Sequence, residues 1–434
     1  MAIIPQKSFF DWGELEDLGD LERLRLVIEY MPDEDLMRDL EKERGHGRND
    51  YPVRAMWNAV LAGVVFQHNS EASLRRELRR NGQLRQLCGF KPNKIPPAWA
   101  FSRFLKKLLK KEEKIEEIFN KLVKELEKLL PGFGKNLAID GKAIESHANP
   151  GKKDKEKGED GRRDLDADFG KKVYRGKNKD GTLWEKIKSW FGYKLHLIVD
   201  ADYELPVAFE VTKASAPEEP QAHALITKLN KDNPEILESC EYLMGDKGLD
   251  DGKLITRLWK GFEIKPVIDI RLMWKDGEET RLVTGKSNIV YDNSGTVYCH
   301  CPITNKRREM AYGGFEADRE ALKYRCPAWH YGIECKGWDT CPVKKSTRIS
   351  LEEDRRIFTP LARSSVKWDQ KYKKRTAVER VNGRLDLSFG FENHFIRGIK
   401  KMRLKLGLSF CVMLAMALGH IKEKQPGKIR SLVA

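Results

Sequence analysis

The sequence has no apolar run long enough to span a bilayer. Its longest, Leu406 to Gly419 (LGLSFCVMLAMALG), has 14 residues, against about 20 for a spanning helix, and reads as a buried helix. The opening residues, MAIIPQKSFFDWGELEDLGD, lack the basic stretch and apolar core of an export signal. Without such a signal, 8 cysteines argue against disulfides and for free thiols or a metal, in a reducing cytoplasm. No internal repeat is present. Acid is scarce in two blocks: residues 51–110 hold 12 Lys/Arg against 2 Asp/Glu, and residues 355–434 hold 19 against 5. Residues 1–50 are the reverse, 7 against 14, and the whole chain carries +15. Two basic blocks far apart in sequence fit one polyanion held between them, a nucleic acid before any other. At 434 residues and 40% hydrophobic content, the chain calls for two or three units rather than one core.

Apolar periodicity predicts helix over 11–45, from Pro52 through VRAMWNAVLAGVVFQH, over SEASLRRELRRNGQLRQLCGF with Ser70 as N-cap and Gly82 and Gly89 as stops, and over Trp99–Lys128. Residues 1–131 therefore read as an all-α unit closed by Pro131-Gly132. Strands are predicted at Asn136–Asp140, Ser189–Asp200, Leu205–Thr212, Cys240–Asp246 and Phe262–Ile268, the last an edge strand because of Pro266. Helices are predicted at Glu219–Leu229 and Gly252–Trp259. Lys152 to Gly181, charged and mixed in sign, reads as a mobile loop. Residues 132–270 form the first part of an α/β core, 271–365 a small insertion with five of the cysteines, and 366–434 a helical return to the core.

Three acids stand out. Asp140 and Asp246 each end an apolar run ahead of a glycine, and Glu379 lies in a basic helical run. Either aspartate alone is an ordinary turn or cap residue. Together, three carboxylates on separate elements make an oxygen cage for two Mg²⁺ or Mn²⁺ ions, which suits phosphodiester chemistry. The predicted element order, β-β-β-α-β-α-β and then a helical tail, is that of the RNase H-like fold, a mixed sheet with flanking helices.

Tyr372-x₂-Arg375-x₃-Glu379 resembles, in residue type and spacing, the signature around the catalytic Glu of the DDE transposases of bacterial insertion sequences. LAIDGKAI is similar to the segment around their first Asp, and YLMGDKGLDD to that around their second. WFGYKLHLIVDADYELPVAFEVTKASAPE resembles the hairpin between them, and residues 51–108 the helical N-terminal domain common in the group. The resemblance implies a transposase that nicks DNA at the ends of a mobile element and joins the freed 3′-hydroxyl to target DNA. It implies Asp140, Asp246 and Glu379 as ligands of two metals, with Tyr372, Arg375 and Arg380 on phosphate. Two positions depart from it. Asp386 stands where the signature has Lys or Arg, so Arg384 is expected to serve instead, and Leu249 stands where an aromatic is common. Double-stranded DNA is the implied partner, for a homodimer acting on both ends in a bacterial, nucleoid-associated setting without a membrane. The rival functions are an RNase H-fold nuclease without strand transfer and a non-catalytic, transposase-derived DNA-binding protein.

Cys299, Cys301, Cys326, Cys335 and Cys341 lie within 43 residues. Four thiolates make a closed zinc site. With Cys299 left out, the expected ligands are Cys301, Cys326, Cys335 and Cys341. Cys88, Cys240 and Cys411 read as core residues. Arg75 and Arg79, with Arg76 and Arg80, follow a helix N-cap in the first basic block and are expected to contact DNA. Trp184 and Trp190 flank a basic segment and are candidates for stacking on a base, with Trp190 the better fit to a hairpin core. His196, in mid-strand, reads as an interior histidine, and His147, just after the strand of Asp140, is no better a ligand candidate.

Overall fold

The computed structural model describes residues 18–46, 49–151, 161–178, 180 and 182–431. Its first part is helical: α1 (Leu21–Tyr30), α2 (Glu34–Arg44), α3 (Val53–Val65), α4 (Glu71–Arg80), α5 (Gly82–Cys88), α6 (Ala98–Leu108) and α7 (Glu112–Leu129). The helix expected over 11–45 breaks at Pro32, and its residues 11–17 lie outside the described residues. Ser70 caps α4, its side chain accepting the Ser73 N–H. Gly82 starts a helix rather than stopping one, because Asn81 accepts the Leu84 N–H and caps α5. Gly89 ends α5 in a left-handed conformation.

A mixed sheet follows. Its strands are β1 (Asn136–Glu145), β2 (Asp168–Lys177), β3 (Leu183–Asp200), β4 (Leu205–Lys213), β5 (Tyr242–Gly245) and β6 (Lys265–Ile268). The strand order is β2-β3-β1-β5-β6, with β4 also on β3. β1, β3 and β4 are antiparallel neighbours, whereas β1, β5 and β6 run parallel. Helices α8 (Glu218–Asp232), α9 (Pro234–Ser239) and α10 (Gly252–Phe262) make the crossovers. β6 closes one edge, where Pro266 costs no ladder bond. The loop expected over Lys152–Gly181 contains β2. Its residues 152–160, 179 and 181 lie outside the described residues. β3 begins six residues before the expected Ser189, as the partner of β2.

Between β6 and the final helices, β7 (Thr280–Leu282), β8 (Ile289–Asp292), β9 (Val297–His300) and β10 (Arg307–Glu309) form one small sheet. β11 (Ala311–Glu316), β12 (Ala321–Arg325) and β13 (Ser346–Ser350) form another, with α11 (Pro327–Tyr331) between β12 and β13. These sheets enclose their own core, with Trp274, Tyr291, Tyr324 and Phe358 buried in it. The chain then returns through α12 (Val366–Lys373), α13 (Thr376–Phe389) and α14 (Ile399–Lys422).

α13 buries Ala377, Val378, Val381, Asn382, Leu385 and Phe389 on one stripe and lies on β1 and β3. α14 is apolar nearly all round. It packs on α7, α1, α3 and β4, so the N-terminal helices and the sheet share one continuous core through it. It is long and apolar enough to cross a membrane, but 89% of its apolar window is buried in the protein.

Candidate functional site

Register brings the first two acids together. β5 pairs with β1 only from Asn136 to Ala138. Beyond that point β1 has no strand partner on its β5 side among the described residues, and Asp140 is the second residue past the last pair. β5 ends at Gly245, so Asp246 emerges at the same level. Each aspartate accepts a local glycine N–H, Gly141 to Asp140 Oδ1 at 2.7 Å and Gly248 to Asp246 Oδ1 at 2.7 Å. Burial first, and then the Asp246 charge, push the Asp140 pKa up to about 6. The charge of Lys172 offsets this only in part.

The third acid arrives on α13. Glu379 sits beside the buried stripe, half-exposed, and Arg375 one turn earlier bonds it at 2.7 Å. Arg375 is held charged by Glu379, Tyr372 and Asp140 against the cost of its burial. Its guanidinium thus answers to both acids. Tyr372 stacks on Trp368, with centroids 4.8 Å apart and planes at 12°. Its hydroxyl is raised by burial first, then by the charges of Asp269 and Asp246. Tyr372, Arg375, Asp140 and Asp246 therefore share one electrostatic neighbourhood.

Arg380 and Arg384 point elsewhere. Arg380 Nε bonds Glu204 Oε1 at 2.7 Å, Arg384 donates to the Glu204 carbonyl at 2.9 Å and also to its carboxylate, and Arg430 lies 3.4 Å away. Asp386 is neutralised from β1, by Lys142 Nζ at 2.5 Å. The cation near that position thus comes from Lys142, two residues past Asp140, and not from Arg384. Arg75 donates to the Pro96 carbonyl at 3.0 Å and is half-buried, whereas Arg79 is exposed.

Sequence reasoning gave no role to Glu218. Its carboxylate lies against the glycines beside both aspartates. A methyl group at Gly141 would meet Glu218 Oε1 at 3.0 Å, and one at Gly248 would meet Oε2 at 2.3 Å. Lys194 and Lys172 flank it at 3.7 and 3.8 Å. An acid in the first turn of a helix is too common to signal function by itself. Its place at the end of the hairpin segment similar to the transposases was the available clue.

The five cysteines of the insertion gather in one place. Burial, followed by the charges of Cys326, Cys341 and Cys335, pushes the Cys299 thiol up to about 11. Cys301 is lowered to about 6, chiefly by hydrogen bonding from Thr304, whose N–H lies 3.5 Å from its sulfur. Cys299, left out of the expected set, lies with the others. Among the described residues, no group of three or more His, Cys, Asp or Glu side chains is arranged as a ready-made metal site. Cys88, Cys240 and Cys411 are buried. His196 bonds Thr212 Oγ1 at 2.9 Å and is held neutral by burial, its pKa near 4. His147 packs edge-on against Phe395.

Comparison with known proteins gives two family matches. Residues 132–415 match the model described as Transposase DDE domain, and residues 11–107 the one described as Transposase domain (DUF772). The search among curated proteins gave no match. A solved piggyBac transposase synaptic complex with hairpin DNA aligns over 95% of this chain and 79% of that chain, at 11% identity and a TM-score of 0.39. A likeness at that level carries no argument.

Proposed function

The chain belongs to the Transposase DDE domain family, and from that premise we propose that Asp140, Asp246 and Glu379 are its catalytic acids. The protein is a DDE transposase, an enzyme of DNA strand cleavage and strand transfer. Enzymes of this class use divalent metal ions. The residues at the site fit such an ion, because burial and the Asp246 charge hold the Asp140 pKa up, and a cation between the two carboxylates would relieve both. Mg²⁺ or Mn²⁺, two ions in the full reading, would be held by the three carboxylates and would supply an activated water and a stabilised leaving oxygen. Strand order β4-β3-β1-β5-β6 supports the RNase H-like reading of the core.

Within this scheme Arg375 has two tasks. It holds Glu379 before DNA binds, and its planar fork then meets a phosphate oxygen near the scissile bond. Tyr372, stiffened by Trp368, fixes the approach of that phosphate. Lys142 keeps Asp386 from repelling DNA. Arg380 and Arg384 brace α13 through Glu204 and so position Glu379 from behind. Exposed Arg79, with Arg75 at its flank, offers phosphate contacts on α4. Two element ends require two active sites, hence a homodimer on double-stranded DNA. Zinc on the insertion's cysteines completes the reading, with Cys301 the sulfur most ready to bind as thiolate.

The observation that carries the proposal is the Asp140–Asp246 pair at the open edge of β1. The test is incubation of the protein with labelled DNA flanking its gene, in Mg²⁺ or Mn²⁺, beside Asp246→Asn. A nick at a fixed terminal position with joined products, absent from the variant, is expected. Equal cleavage by the variant would remove Asp246 from the site.

A further inference from the structure

The hairpin of β2 and the first half of β3 goes beyond the catalytic acids. It pairs from Asp168↔Gly192 out to Lys177↔Leu183, and its β3 half is exposed from Leu183 to Ser189. Directly opposed residues in an antiparallel pair share a face, and alternate residues along a strand do too. Trp184, Lys186, Lys188 and Trp190 therefore lie on one face, together with Gly176, Lys172 and Gly170 of β2. No acid falls among these positions.

Both tryptophans lie across a glycine. A methyl group at Gly170 would sit 2.3 Å from the Trp190 ring, and one at Gly176 would sit 2.3 Å from the Trp184 ring. Trp190 is buried, and its Nε1–H is used by the Tyr193 carbonyl at 3.0 Å. Trp184 is different: one side rests on the strand, yet 42% of it is exposed. The indole is thus held flat with a face to solvent, so stacking on it costs little conformational entropy.

The base of the arm adjoins the catalytic crevice. Lys172 Nζ bonds the Gly141 carbonyl at 3.3 Å, the residue after Asp140. Lys188 lines an open cavity of about 480 Å³ together with Lys142, His147 and Asp386. From Gly141, the order outward is Lys172 and Lys188 at one level, then Lys186, then Trp184.

We propose that this face is a DNA rail. Its lysines track the backbone of the strand leaving the catalytic crevice, and Trp184 stacks on one of that strand's bases, fixing where the scissile phosphate stops. The proposal rests on the transposase reading and adds positioning residues to it. The opposite face, with Leu183 84% and Ile187 52% exposed, has no part in it.

The probe is a set of duplexes from the DNA flanking the gene, with 2-aminopurine at successive positions across the cleavage site. Asp246→Asn protein is used for binding and otherwise wild-type protein for cleavage. One probe position is expected to respond to binding, and Trp184→Ala to abolish that response while weakening binding roughly tenfold. Trp184→Ala should also scatter the nick over neighbouring positions. Lys186→Ala with Lys188→Ala should reduce the slope of log affinity against log salt by about two. Leu183→Ser, on the other face, should stay within about twofold of the parent. Trp184→Ala that keeps the probe response and the nick position overturns the rail. Equal losses in Leu183→Ser overturn it too, because the arm would then act through folding or through a second chain. If wild-type protein neither binds nor nicks this DNA, the transposase reading falls as well; if it nicks and the arm variants nick alike, only the rail falls.

Discussion

Two carboxylate centres meet the two ends of one stretch of α13, and their electrostatics are opposite. Glu204 is buried, and burial alone would raise its pKa. The hydrogen bond from Arg380 and the charges of Arg384, Arg380 and Arg430 overcome that and leave it lowered. Asp140 is also buried, but the neighbouring charge that moves it most is another acid, Asp246, and it is raised to about 6. The first centre is complete within the protein, with its charge balanced by three arginines. The second stays raised although Lys172 and Arg375 are near, and in the proposed reading a cation would complete its balance in the working complex. An internally balanced cluster holds a fold together, and an unbalanced one is poised to bind.

The comparison is broken most severely by removing an acid from the unbalanced centre. Asp246→Asn or Glu379→Gln is expected to lower cleavage by on the order of a thousandfold, since several kcal/mol of transition-state stabilisation are lost. Melting temperatures should stay near wild type. Gel-resolved single-turnover cleavage beside thermal melts measures both, and residual cleavage within tenfold of wild type would undo the distinction.

Next in size is Glu204→Gln. It leaves Arg384 buried without its counter-charge and should cost about 2–4 kcal/mol, discounted for the half-exposed Arg380. Urea unfolding should show the loss. Cleavage at a temperature where the variant stays folded should fall much less than in Asp246→Asn.

The smallest effect sharpens the contrast through pH. The folded-state pKa of Asp140 is raised above its ordinary value of 3.8, so ionisation of this group works against folding above about pH 6 and ceases to do so as pH falls. Asp140→Asn should therefore be more stable than wild type by about 1–3 kcal/mol at pH 8, with the gain fading towards pH 4. Mn²⁺ should close the gap at pH 8 by stabilising only the wild type. Melting curves against pH, with and without Mn²⁺, test this; a variant less stable at pH 8 would mean that Asp140 is already compensated.

What the sequence made legible follows the same division. The signals behind the proposal of Asp140 and Asp246 are local: each ends an apolar run ahead of a glycine, although β1 itself continues to Glu145. The proposal of Glu379 rests on its spacing to Tyr372 and Arg375, three residues of one helical region. The pairing of Arg380 and Arg384 with Glu204 was not legible, because Glu204 lies 176 and 180 residues away. Lys142 and Asp386, 244 residues apart, hid their pairing in the same way. Strand β2 escaped because an arm with both faces largely exposed shows no alternation of apolar and polar residues. Glu218 looked like an ordinary first-turn acid. Its relation to Gly141 and Gly248 exists only once the sheet is formed.

The most direct test of the central claim, that three distant acids make one cation site, is calorimetric titration of the protein with Mn²⁺ before any DNA is added. Wild-type protein is expected to bind, and Asp140→Asn, Asp246→Asn and Glu379→Gln each to bind at least about tenfold more weakly while melting as folded proteins. Binding by Glu379→Gln equal to that of wild type would contradict the account and leave Asp140 and Asp246 as a site without its third acid.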